Sequence, residues 1–227
     1  KVNKRARKLW NTGAYPQAMW GASVQRACPT LLGKARALAA RAAGVPAGAC
    51  TTTAIALLLG EDADPSVRAR AELLREWLSL WRGRPSLHRR LRRTWERTVP
   101  MLQRHSTRWL RTRGPVAAVI STLLDLEWVP LAPERWQDPY GEVWCFDEES
   151  GLHDFTEHFS EVVKSAMWRK AANFLEAGGI ENGVDLRVPR QKLKFLEGRR
   201  DWQVYSCTIA VLASATWPQS RKFDAAL

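Results

Sequence analysis

The chain has no paired cysteines, few histidines and no long apolar run, and each gap removes a class of protein. Cys28, Cys50, Cys145 and Cys207 stand singly, no CxxC occurs, and no Cys/His pair has zinc-finger spacing. Four thiols in 227 residues are too sparse for a disulfide framework and read as reduced thiols of an intracellular protein, nuclear or cytoplasmic. The longest apolar stretch, Thr53 to Gly60, falls far short of the roughly 18 residues of a membrane span, so no membrane partner is expected. The basic N-terminus is not followed by the apolar core of a secretory signal. A start at Lys1 and an end in Asp224-Ala-Ala-Leu227 read as a piece of a longer protein.

Motifs for chemistry are missing as well. Ala177-Gly-Gly-Ile-Glu-Asn-Gly183 lacks both the preceding strand and the Gly-Lys-Ser/Thr ending of a phosphate loop. No nucleophile-elbow pattern occurs. His153 and His158 are five apart and point about 140° from each other on a helix, whereas metal-binding helix pairs are four apart. Asp147-Glu148-Glu149 and Glu61, Asp62 and Asp64 each precede a helix, where negative charge is favourable for electrostatic reasons alone. We therefore expect no catalytic site, no metal and no cofactor in this segment.

What the chain does have is arginine. Fourteen fall between Arg68 and Arg113, with four tryptophans and only three acidic residues among them. The net charge of +12 hides an asymmetry: residues 1–115 carry +17, residues 116–163 carry −10 and residues 164–227 carry +5. Arginine forks bind phosphate oxygens in pairs and their planes stack on bases, so such a stretch is the expected footprint of a polyanion surface. Two plainer readings stand beside it. The acidic middle can dock against the basic half within the molecule, and arginine over lysine, 26 to 9, also follows from GC-rich coding.

The elements read as mainly α, a helical bundle with a small β-hairpin in the middle. A basic helix opens the chain and ends near Asn11-Thr-Gly13, and Tyr15-Pro16 begins a loop or turn. A short helix follows over Gln17–Arg26, then helices over Thr30–Ala43, stopped by Gly44, and Thr51–Leu59, stopped by Gly60. Asp64-Pro65 supplies a cap and a first-turn proline for a helix to Trp81, with Leu73, Trp77 and Trp81 at four-residue spacing and Arg68, Arg75 and Arg82 on another line. After Gly83 and Pro85, Ser86 caps a second helix. Its apolar face holds Leu91 and Trp95, and Arg89, Arg90, Arg92, Arg93 and Arg97 take the remaining arc. Pro100 is expected to kink or end it, and a basic helical turn with Arg108 and Arg111 continues to Arg113. Trp77, Trp81 and Trp95 read as core; Trp109 is a candidate for stacking.

Gly114-Pro115 is the expected boundary between a basic nucleic-acid-binding region, 1–115, and a mixed helical region, 116–227. In the second, Val116–Leu126 forms an apolar helix. The runs Glu127–Pro130 and Glu142–Phe146, separated by Pro139-Tyr-Gly141, suggest a hairpin near 127–147. A long amphipathic helix runs from Leu152 to Ala177, ended by Gly178-Gly179, and helices over Gln191–Leu196 and Asp201–Ala213 close the chain.

Several runs carry a resemblance. Lys8-Leu-Trp-Asn-Thr-Gly-Ala-Tyr-Pro-Gln-Ala-Met-Trp-Gly21 resembles the segment after the palm in reverse transcriptases of protist non-LTR retrotransposons. Cys28-Pro-Thr30, Leu32-Gly-Lys-Ala-Arg-Ala-Leu-Ala-Ala-Arg-Ala-Ala-Gly44, Leu73-Leu-Arg-Glu-Trp77, Leu126-Glu-Trp-Val129 and Trp136…Gly141 are similar to that family too. Trp168-Arg-Lys-Ala-Ala172, Gly183-Val-Asp185 and Trp217…Arg221 fit more loosely. The resemblance implies a thumb and connection region gripping template–primer duplex. The parent would be an RNA-directed DNA polymerase, but the palm's Tyr-x-Asp-Asp and the acidic quartet of ribonuclease H have no match here, so this segment is not expected to be an enzyme. The expected partner is nucleic acid, RNA or an RNA–DNA hybrid. Arg68, Arg75, Arg82, Arg89, Arg90, Arg92, Arg93, Arg97, Arg108 and Arg111 are the candidate contacts on charge and helical face alone. The alternative is a helical interaction module whose basic face meets an acidic protein.

Overall fold

The computed structural model of the chain describes residues 4–45, 50–147, 151–173 and 180–213, and of Lys4 and Arg5 the backbone alone. Helix α1 (Lys4–Leu9) runs through a π turn at Trp10–Ala14 into α2 (Tyr15–Ala18), followed by α3 (Ala22–Gln25), α4 (Pro29–Ala42), α5 (Thr51–Leu58) and α6 (Pro65–Gly83). Next come α7 (His88–Gln103), α8 (Gly114–Asp125), strands β1 (Val129–Ala132), β2 (Arg135–Gln137) and β3 (Val143–Cys145), then α9 (Leu152–Ala172), α10 (Arg187–Gly198) and α11 (Trp202–Leu212). The protein is mainly α with one small antiparallel sheet, as its periodicities imply.

Local chemistry explains most boundaries. Gly44 and Gly60 take φ of 86° and 98° just past α4 and α5, a conformation that an L side chain rarely adopts. Pro65 opens α6, where its missing N–H costs nothing. Five expectations need correction. Gln17–Arg26 is not one helix: α2 ends at Ala18 and α3 starts at Ala22, with Gly21 at a φ of 77° just before it. Tyr15-Pro16 continues into a helical turn rather than a loop. Ser86 lies in a 3₁₀ turn, Pro85–Leu87, and α7 starts without a side-chain cap. Pro100 does not end α7, which runs three residues further. Pro100 is on the solvent side, where the carbonyl deprived of its donor can turn to water. The hairpin is a three-stranded meander, because Arg135–Gln137 forms a middle strand pairing with both neighbours. Residues 174–177 of the expected long helix, Gly178-Gly179 and Trp217…Arg221 lie outside the described residues.

Two compact units, each assembled from separate stretches, divide the chain: residues 1–16, 33–65 and 167–227 in one, and 17–32 and 66–166 in the other. Gly114-Pro115 falls inside the second, at the start of α8. In the first unit α10 and α11 pack on α5. Arg7 and Arg190 donate to the carbonyls of Ala43 and Ala56, at 3.2 and 2.7 Å. Arg36 joins the buried Asp64 at 2.9 Å and also donates to Thr52. Glu61, expected only as helix-start charge, accepts from the Trp168 indole at 2.7 Å.

The second unit is built on aromatic rings. Pro130, Trp136 and Trp144 stand in register across the sheet. Trp136 meets Trp95, Trp128, Phe146 and Phe155 with centroids 6.4, 6.4, 4.9 and 5.6 Å away. Such edge and offset contacts add roughly 0.5–1.5 kcal/mol per pair beyond area burial. Helix α8, apolar around most of its circumference, packs between α7 and α3.

Candidate nucleic-acid interface

The arginine-rich helices are held by their tryptophans. Trp77 and Trp95 meet with centroids 5.5 Å apart, and Trp81 stacks on His88 at 3.8 Å with an interplanar angle of 3°. These two contacts join α6 to α7 across the link at 84–87. All three indoles are buried and each donates once: Trp77 to the Pro133 carbonyl at 3.0 Å, Trp95 to the Pro130 carbonyl at 3.1 Å, and Trp81 to Asp147 at 2.8 Å. The proline-bearing part of the meander thus fixes the rotation of both helices about their axes. Asp147, expected as helix-start charge, is an acceptor for this core.

That rotation decides which arginines face water. On α7 the buried residues are Leu91, Trp95 and Leu102. At 100° per residue, Arg89, Arg90, Arg93, Arg97 and the following Arg104 fall within about 100° of arc on the opposite side. All five are exposed and none pairs with a described residue. From Arg89 to Arg104 the stripe is about 22 Å long at 1.5 Å per residue. Glu96 borders it and pairs with neither Arg92 nor Arg93, its neighbours one turn back. Arg104 was not among the expected contacts; the continuation of α7 past Pro100 brings it into line with them.

The other candidates divide. Arg92 is drawn off the stripe: it donates to Glu134 at 2.7 Å and lies over the Trp81 ring at 5.4 Å. Arg108 bonds Asp125 at 3.1 Å and the Leu102 carbonyl at 3.3 Å, and Arg26 joins the same Asp125. The acidic middle of the sequence therefore does reach back to the basic half, at Glu134 and Asp125, and takes three guanidinium groups. Arg68 is paired with Glu72 one turn on, at 3.0 Å. Arg75 and Arg82 are exposed on the side of α6 away from its tryptophans. Arg111 is exposed in a 3₁₀ turn, Arg108–Arg111, with Trp109 39% exposed beside it.

His158 has a partner that the sequence did not announce: its Nε2 is 2.8 Å from the buried Asp138, and its ring stacks on Trp144 at 4.9 Å. Burial pushes the Asp138 carboxyl up, but the amide N–H groups of Glu142 and Tyr140, with His158, more than offset it and hold it below the ordinary value of 3.8. Oδ1 accepts from Tyr140 and Glu142 at 2.9 and 2.8 Å, so the carboxylate ties the β2–β3 turn to α9. His153 is 89% exposed, beside Glu157. Among the described residues no three His, Cys, Asp or Glu side chains gather into a metal cluster, and no helix is long and apolar enough to cross a membrane. No family model, curated protein or solved structure matches the chain.

Proposed function

We propose that the chain binds nucleic acid, gripping a duplex through backbone phosphates along α7 with little preference for sequence. The observation that carries this reading is the stripe of Arg89, Arg90, Arg93, Arg97 and Arg104: permanently charged, outward-facing, unpaired among the described residues and backed by a rigid aromatic core. Like charges one turn apart destabilise an isolated helix by about 0.2–0.5 kcal/mol per pair, a cost that phosphate neutralisation removes. Phosphate contacts position a protein on a duplex but read no bases. On the resemblance of its sequence runs, the parent is a retroelement reverse transcriptase and this segment its thumb and connection, holding template–primer without catalytic groups of its own.

One observation favours a second reading. Arg92–Glu134 is a carboxylate pair already formed on the edge of this helix, and an acidic protein can extend it along the stripe. Equilibrium binding to RNA–DNA hybrids of unrelated sequence, with polyglutamate as competitor, separates the two. The first reading expects near-equal affinity for all hybrids and weak competition. No binding to any hybrid at low salt supports the acidic protein instead.

A further inference from the structure

Helix α10, in the other unit, has a basic face of a different kind. Leu193 and Leu196 are buried, with Pro189, Arg190 and Glu197 half-buried on the same side. On the opposite side Val188 and Phe195, seven residues apart and so in line, are 69% and 54% exposed. Two cations lie over the Phe195 ring in cation–π contact: Lys192 Nζ and Arg199 Cζ are each 5.5 Å from its centroid. One comes from the turn before and the other from the turn after. Lys194 and Arg200 are exposed nearby, and Glu197 is the one carboxylate between Leu186 and Arg200. Arg187 is spoken for. It grips Asp185 with Nε and Nη2 at 2.8 to 3.1 Å, which holds that carboxyl down to about 2.

Lys192 and Arg199 are exposed, so each can swing from the ring to a phosphate, and the uncovered phenyl face then takes the flat base of the same nucleotide. Only an unpaired base offers its face to a side chain, so the ligand is a single strand or an unpaired end rather than a closed duplex. A lipid surface fits less well. Interfacial helices bury a broad apolar face, and here two apolar side chains stand among Lys192, Arg199, Lys194 and Gln191. We propose that the α10 face centred on Phe195 is a single-strand binding site: an unpaired base stacks on Phe195 while Lys192 and Arg199 hold the adjoining phosphates. This site is independent of the α7 stripe.

The test uses the full chain carrying Arg89→Gln, Arg93→Gln and Arg97→Gln, so that α7 contributes little, and a short unstructured oligouridylate as probe. Phe195→Ala is expected to weaken binding about 5-fold or more, the range of one lost base stack, with the salt slope unchanged. Phe195→Tyr restores affinity, which a merely apolar role at this position does not require. Lys192→Gln with Arg199→Gln lowers the slope by about 1.4, at roughly 0.7 per phosphate on a single strand. The proposal is overturned if the triple-glutamine chain does not bind the oligonucleotide at low salt, or if Phe195→Ala binds it undiminished. It is equally overturned if Phe195→Ala loses only binding to phosphatidylserine vesicles, which would make the face a lipid contact. Because Phe195 is exposed, all variants are expected to keep the parent's helical circular dichroism.

Discussion

Asp138 shows how much one side chain organises. Its carboxylate is buried, takes two backbone N–H groups from its own turn and faces His158 across the sheet–helix junction. Because its folded value lies below the ordinary one, its contribution is present above the unfolded value, about 3.9, and is lost as pH falls through the lower folded value. Asp138→Ala is expected to lower stability at neutral pH by about 1–3 kcal/mol, from hydrogen bonds to a charged acceptor. The gap between variant and parent urea midpoints should narrow as the pH drops below about 4. A gap that is constant with pH rules out the charged hydrogen-bond account. At this scale the sequence was a poor guide. His158 read as an ordinary histidine because its partner lies 20 residues away, and Arg92 read as one of a free set because Glu134 is 42 residues away. Spacing exposes neighbours on one helix; it does not reveal pairs made by folding.

Among the elements, α7 is the one on which the proposed function rests, and its length matters. Running through Pro100 to Gln103 extends the charged stripe by a turn and brings Arg104 into line. A proline in a helix interior costs about 3 kcal/mol. Pro100 is on the exposed side and pairing is lost at one carbonyl, so Pro100→Ala is expected to raise stability by about 1–3 kcal/mol. It should leave the direction of the stripe unchanged, as measured by thermal unfolding and by unaltered hybrid affinity. A loss of stability would show that the turn after Pro100 relies on the missing N–H. Most of the helices were legible. The Asp64-Pro65 start, the Gly44 and Gly60 stops and the four-residue spacing of Leu73, Trp77 and Trp81 are local signals with local causes. Strand β2 was not legible, since Arg135-Trp-Gln137 has no β-branched residue and its pairing is set by partners on both sides.

For the whole molecule, the charge asymmetry of the sequence resolves into two outcomes. Part of the central acidity is spent internally, at Asp125 and Glu134 on Arg26, Arg108 and Arg92. The remaining α7 arginines are left outward, which full internal docking would not produce. The two units are each discontinuous in sequence, an arrangement that no linker composition could announce, since Gly114-Pro115 serves as a helix start rather than a break. Phosphate gripping by the α7 stripe is tested by the salt dependence of binding to an RNA–DNA hybrid, compared between the parent chain and a variant with Arg89→Gln, Arg93→Gln and Arg97→Gln. The account predicts a steep log-linear fall for the parent. For the variant it predicts a slope lower by roughly 3 and a thermal midpoint no lower than the parent's, because the stripe's self-repulsion is relieved. Equal slopes for the two chains, with both folded, would contradict it.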